Sequence, residues 1–245
     1  MTLILPILLV AVGTVFGRNL EESQKIPLTL ELQGDVSDKI FTAPANDFLD
    51  GNFYVVMPEH SAKYRIGDVV DNQELVLEDS ERNVIRTVAS FKSRNRRYIK
   101  VIDTKIGGDG VLKREVEEFY RDPSMKTYMP INREPVDFDI LNFARNPYIH
   151  ITYLRNRRDI KFSIKFEMND HFRIGVCKYG DRIIHALVTD VLYKTVYFYG
   201  SYRPHKIIIY SYMKNGTFIK SKYIFVGGEE MFRLEEELTD LETMN

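Results

Sequence analysis

The chain has 245 residues, enough for two small domains, and 44% of them are hydrophobic, which excludes a disordered polypeptide. Its 34 basic and 35 acidic residues leave a net charge of −1, without the cationic excess by which a duplex-binding protein neutralises phosphates, so no nucleic-acid partner is expected. Tyr and Phe number 15 each and Trp is absent; aromatics at that frequency favour strands, because flat rings pack on a half-buried pleated surface.

The first residues read as an export signal. Leu3 to Val15 is apolar except for Pro6, Gly13 and Thr14, and Val15-Phe16-Gly17 offers a cleavage site before Arg18, although no Lys or Arg precedes the run. Residues 1–17 are therefore expected to be a signal peptide and the mature protein to be secreted. The run is too short to span a bilayer, and no transmembrane segment is expected after cleavage. Cys177 is the single cysteine, so no internal disulfide is available and the fold must rest on apolar burial. The residue itself is expected to be a small, buried strand side chain.

From Pro27 onward the chain repeats itself. Pro27-Leu28-Thr29-Leu30-Glu31-Leu32 matches Pro135-Val136-Asp137-Phe138-Asp139-Ile140, 108 positions later. The same offset carries Tyr54 and Val56 onto Phe162 and Ile164, and Tyr64-Arg65-Ile66-Gly67 onto Phe172-Arg173-Ile174-Gly175. It also carries Leu75-Val76 onto Ile183-Ile184, Val88 onto Val196, and Ile99 and Val101 onto Ile207 and Ile209. Near the end of each copy the turn dipeptides Asp109-Gly110 and Asn215-Gly216 lie 106 apart, a slip placed where hairpins tolerate a change of length.

Within each copy the apolar period is two. Ile160, Phe162, Ile164, Phe166 and Met168 alternate with Lys161, Ser163, Lys165 and Glu167, as in an antiparallel strand with one dry face. Lys206 to Met213 and Thr217 to Val226 flank Lys214-Asn215-Gly216, a hairpin signal because both central turn residues favour positive φ. Leu112 to Tyr120 and Glu229 to Thr243 have a composition that also suits a helix; alignment with a strand of the second copy assigns the first to strand. The expected architecture is all-β and mainly antiparallel, with two tandem sheet, sandwich or partial-barrel domains. Residues 25–121 form copy 1, 122–134 a linker and 135–228 copy 2, while 229–245 form a short acidic helix or tail.

Two divergent β-rich copies behind a signal peptide form a pattern. Tyr/Phe-x-Ile-Gly is followed by a turn, an apolar pair and an Ile-x-Val type strand, over Tyr64 to Val101 and Phe172 to Ile209 with Tyr54 and Phe162 on preceding strands. This resembles the merozoite surface antigens of Theileria-type piroplasms and the related FAINT domains. The resemblance implies a parasite protein that is secreted, associated with the surface or exported to the host, without catalytic residues to carry over. Members of that kind tend to end in a hydrophobic lipid-anchor signal, whereas Glu235-Glu236-Glu237 to Asn245 is acidic, a departure that favours a soluble secreted protein, or one held to a membrane by a partner, over a lipid-anchored one.

No residues stand at the spacing of a nucleophile elbow, a Walker loop or a dinucleotide fingerprint, and His60, His150, His171, His185 and His205 show no zinc spacing. No catalytic set, metal or cofactor is expected. Gly107-Gly108-Asp109-Gly110 suits a hairpin turn, and Asp137 and Asp139 share a strand face, where acid–base pairing would require a pocket that a sequence does not display. The candidate site lies instead in two identical tetrapeptides, Arg94-Asn95-Arg96-Arg97 and Arg155-Asn156-Arg157-Arg158. They are 61 positions apart, so the duplication did not produce them, and each should cap a hairpin. The guanidinium groups of Arg94, Arg96, Arg97, Arg155, Arg157 and Arg158 can fork onto sulfates, carboxylates or phosphates, or simply keep exposed turns solvated. Tyr98, Tyr153 and Tyr202 nearby can offer ring faces to a sugar or pack on their strands. Asn215-Gly216-Thr217 is an N-glycosylation acceptor as well as a turn. The expected function is host interaction through a host protein or an acidic glycan; the alternative is a secreted β-barrel carrier of a lipid or small apolar ligand.

Overall fold

The structure, a computed structural model, describes residues 25–45, 51–154, 157–201, 203–229 and 231–241. The leader expected at 1–17 lies outside the described residues, as do Arg155, Tyr202 and the end of the acidic tail. The chain divides after Pro130 into two units.

Unit 1 contains β1 (Ile26–Glu31), β2 (Ile40–Pro44), β3 (Asn52–Val56), β4 (Tyr64–Asp71), β5 (Glu74–Leu77), β6 (Asn83–Ser93), β7 (Arg96–Ile106), β8 (Leu112–Arg121) and β9 (Met129–Pro130). Unit 2 contains β10 (Glu134–Asp139), β11 (Ile149–Tyr153), β12 (Asp159–Ile164), β13 (Phe172–Tyr179), β14 (Arg182–His185), β15 (Val191–Tyr199), β16 (Lys206–Met213), β17 (Thr217–Val226) and β18 (Met231–Leu241). Each unit has a three-stranded sheet, β1-β4-β5 or β10-β13-β14, and a six-stranded sheet, β2-β3-β6-β7-β8-β9 or β11-β12-β15-β16-β17-β18. The architecture is all-β, with one parallel pairing in each small sheet: β1 on β4 and β10 on β13.

The repeat extends to irregularities. The β1–β4 register slips between Leu28 and Leu30, and the β10–β13 register slips between Val136 and Phe138, again 108 residues on. A second slip falls between Val69 and Val70 in unit 1 and between Cys177 and Lys178 in unit 2. Gly110 and Gly216 both take positive φ, at +74° and +72°, in matching hairpin turns, a conformation that costs glycine no Cβ clash.

Each core lies between the small and the large sheet. In unit 1 it joins Leu30, Tyr54, Ile66, Val69, Val88, Ile99 and Val101. In unit 2 it joins Phe138, Phe162, Ile174, Cys177, Val196, Ile207 and Ile209, the same places in the second copy. Cys177 is buried where unit 1 has Val69. Alternating burial along β12, β15 and β16 points one side chain in two inward, as the period of two requires.

Two expectations are corrected. The stretch 122–134 is not a plain linker: Met129 and Pro130 pair with Tyr120 and Phe119 as β9, and Ile131 is buried. The acidic segment expected as a helix or tail beyond 228 is β18, which pairs along the whole of β17. Phe232 enters the core, while Lys222 meets Glu235 at 2.5 Å and Lys220 meets Glu236 at 3.9 Å. Acidic charge opposite a lysine-bearing strand stabilises sheet pairing, and an isolated helix of this length would have had no such partner.

Candidate functional site

The arginine tetrapeptides do cap hairpins, but different ones. Arg94 and Asn95 form the two-residue tip of β6–β7, with Arg94 at φ 54° and Ser93 paired to Arg96. Arg157 and Arg158, the described residues of the second tetrapeptide, precede β12 in a connection closed by Leu154 N–H on the Asp159 carbonyl at 2.9 Å. One turn belongs to unit 1 and the other to unit 2.

The contacts of Arg96 and Arg97 lie within unit 1. Arg96 donates from Nε to Asp122 at 2.6 Å and lies over the Tyr120 ring at 5.5 Å. Arg97 reaches Asp71 at 3.2 Å and Gln33 at 3.0 Å. Asp71 is wholly buried and also accepts from Arg121 and Tyr128, so Arg97 belongs to a closed network. Arg157 and Arg158 are exposed at the tip of their turn. Tyr98 is stacked on Phe91, with ring centroids 5.2 Å apart, whereas Tyr153 stands more than half exposed.

The remaining candidates are structural. Asp137 accepts from Val176 N–H at 2.8 Å, and Asp139 accepts from the N–H groups of Leu141 and Gly180 at 2.9 and 2.8 Å. Asp109 sits in the β7–β8 turn, bound to Val111 N–H and Lys113. Asn215 is exposed, and its Oδ1 accepts from the Thr217 hydroxyl at 2.6 Å and the Thr217 N–H at 3.0 Å. Among the histidines, His185 is buried with Nδ1 2.9 Å from the Tyr223 hydroxyl. Burial, with a smaller contribution from Lys194, lowers the His185 pKa to about 4; burial first raises that of Tyr223, to about 12. Among the described residues no group of three or more His, Cys, Asp or Glu side chains is placed to hold a metal ion.

A larger surface lies on the face of the unit 2 six-stranded sheet that points away from the core. Because Lys194, Val196, Ile207 and Ile209 turn inward, the intervening residues turn out: Tyr193, Thr195, Tyr197 and Tyr199 on β15, and Tyr210 and Tyr212 on β16. Tyr193 stacks on Tyr212 at 4.2 Å, Tyr210 stacks on Phe218 at 5.4 Å, and Tyr197 meets Tyr210 edge to face at 5.5 Å. Lys161 lies over the Tyr197 ring at 5.8 Å and Lys206 over the Tyr199 ring at 4.8 Å, within the range of cation–π attraction. Partial burial raises the pKa of the Tyr197 and Tyr210 phenols, so both remain neutral donors.

This row has two distinct ends. Tyr199 pairs with Asp159, and Gly200 N–H donates to the Arg158 carbonyl at 3.1 Å, which puts one end beside the exposed arginine turn. At the other end Tyr193 and Thr195 join His150, Ser163, Phe166 and Glu167 around an open cleft of about 410 Å³. Tyr199 lies six positions beyond Tyr193 on the strand, about 20 Å of extended chain.

Protein-family models, curated proteins and solved structures contain no match to this chain. The aromatic row was missed in the sequence because Tyr on alternate positions of β15 and β16 looks the same whether it faces core or solvent. The Lys between those tyrosines pointed the wrong way: Lys194 faces inward. The counterpart positions in unit 1, Ile85, Thr87, Ala89 and Phe91, would have marked the row as particular to the second copy.

Proposed function

We propose that this protein acts without catalysis, as a secreted binding protein that takes an acidic glycan along the tyrosine–lysine face of unit 2. The observation that carries the reading is the placing of Lys161 and Lys206 over Tyr197 and Tyr199, in line with Tyr193 and the cleft. Ring faces suit the apolar faces of sugars, and ammonium and guanidinium groups suit their sulfates and carboxylates. A ligand lying across several rings gains area without entering the core, and Arg157 and Arg158 stand at the end of its path. The duplicated unit, with register slips shared between the copies, is consistent with kinship to the piroplasm surface antigens and with a host component as partner. The carrier alternative asks for a ligand inside a barrel; each unit instead closes two sheets on fully buried side chains such as Tyr54 and Phe162.

The test is retention of the full chain on heparin resin and its release by salt. Retention lost on replacing Tyr197 and Tyr212 with Ala, or Lys161 and Lys206 with Ser, in variants that keep the native circular dichroism, is the expected result. Arg157→Ser with Arg158→Ser should lower the salt needed for release. A native chain that passes through the column, or variants that elute with it, would end the proposal.

A further inference from the structure

Arg86 and Lys194 hold corresponding places in surroundings that have diverged. Arg86 donates to the carbonyl of Gly67 and is paired with Asp103, through Nε at 2.7 Å and Nη2 at 2.8 Å. Lys194 donates to the carbonyl of Gly175 at 3.0 Å, the same contact in unit 2. Its cross-strand neighbour, in the place of Asp103, is Ser211. Asp79, which binds Arg65, is replaced by Leu187, while Arg65 is retained as Arg173. Glu117, opposite Val101 and within the field of Arg86, gives way to Ser221 opposite Ile209. Unit 2 has thus kept both cations and lost these three carboxylates, while gaining Asp137 in the place of Thr29.

The consequence is a buried ammonium without an ion pair. Lys194 is 3% exposed, and no carboxylate of the described residues lies within 4.0 Å of it or of Arg173. Asp137, whose charge acts on Lys194 from beyond ion-pair distance, is bound to Val176 N–H; Asp190 influences Arg173 only at longer range. Ser211 is 2% exposed, and its hydroxyl has no hydrogen-bond partner, Lys194 included. The ammonium and the hydroxyl belong to directly paired residues and do not bond each other, where unit 1 places a carboxylate. A buried cation and an unsatisfied hydroxyl are each costly, and one anion between them would relieve both.

We infer that unit 2 binds a small inorganic monoanion of the halide class between Lys194 Nζ and Ser211 Oγ, in the position that the Asp103 carboxylate fills in unit 1. Lys194 and Ser211 are 3% and 2% exposed, which favours a small ion over a carboxylate or sulfate carried on a larger ligand. Burial, with Arg173 adding to it, holds the Lys194 pKa down to about 8 in the anion-free protein, and His185 and Cys177 complete its charged or titratable neighbours.

The experiment is thermal unfolding of the full chain at constant ionic strength, with chloride or bromide exchanged for gluconate, together with anomalous diffraction from bromide-soaked crystals. Expected are a melting temperature that climbs with halide and saturates, and a bromide peak between Lys194 and Ser211. Ser211→Asp supplies the missing carboxylate internally; it should abolish the halide response and melt in gluconate at least as high as the native chain does in chloride. Lys194→Met should abolish the response too, and if that variant fails to fold, Ser211→Asp decides alone. Equal melting in both salts, water alone at the site, or a halide response undiminished in Ser211→Asp would overturn the inference.

Discussion

The Tyr128 hydroxyl donates to Asp71 at 2.7 Å, from a residue 57 positions further along the chain. Tyr128 thereby completes the enclosure of a carboxylate that also holds Arg97 and Arg121, and burial together with Asp71 raises its phenol pKa. Tyr128→Phe should cost about 1 kcal/mol in urea unfolding, the worth of a single hydrogen bond, because the ring still lies under the Arg121 guanidinium. Asp71→Ala leaves two arginines without their shared anion and should cost about 3 kcal/mol. Equal losses for the two variants would mean that the network does not act through Asp71.

Cys177 should behave as a core aliphatic. Burial raises its thiol pKa, so the native chain should not react with a disulfide reagent at pH 8, whereas the unfolded chain should react at once. Cys177→Val, which installs the residue of the first copy, should change stability by less than about 1.5 kcal/mol. Rapid modification of the folded chain would contradict the burial of this strand.

The histidine–tyrosine pair should make stability depend on pH. The folded His185 pKa lies near 4, below the ordinary 6.5, so the unfolded chain binds the proton first and stability falls as pH drops from 6.5 through 4. The full difference is worth about 3 kcal/mol. His185→Leu, matching Leu77 of unit 1, should flatten the urea midpoint over that window, while the carboxylates continue to titrate below it. A variant with the native slope would show that His185 is not the group responsible.

Deleting β18 should be far more damaging than removal of a tail. Phe232→Ala should cost about 3 kcal/mol by cavity formation in the unit 2 core. Glu235→Lys, facing Lys222, should cost less but should lose its effect in high salt, because that pair is partly exposed. A chain ending at residue 230 that unfolds at the native urea midpoint would restore the reading of this segment as a tail.

The two arginine turns should separate in mutagenesis. Arg96→Ser removes the Asp122 pair and the contact with Tyr120, and should lower stability by up to about 1 kcal/mol. Arg157→Ser should leave the melting temperature unchanged while lowering heparin retention. The reverse outcome would move the anion contact to the first turn.

The amino-acid sequence by itself determined the strand content, the duplication and the membership of both cores, because a period of two and the need to bury aliphatics are local and repeated demands. Leu30 and Phe138, or Val69 and Cys177, could be matched without coordinates because each must fill the same space in its unit. Three features were decided only by tertiary structure. The parallel pairing of β1 with β4 joins strands separated by a hairpin that lies in the other sheet, a non-local choice with no local signature. The acidic C-terminal segment became a strand because β17 presents lysines to it and the core accepts Phe232. The outward tyrosines and the inward Lys194 carry the same residue types at either phase of the pleat; only the packing of one sheet on the other tells solvent face from core face, and with it the site.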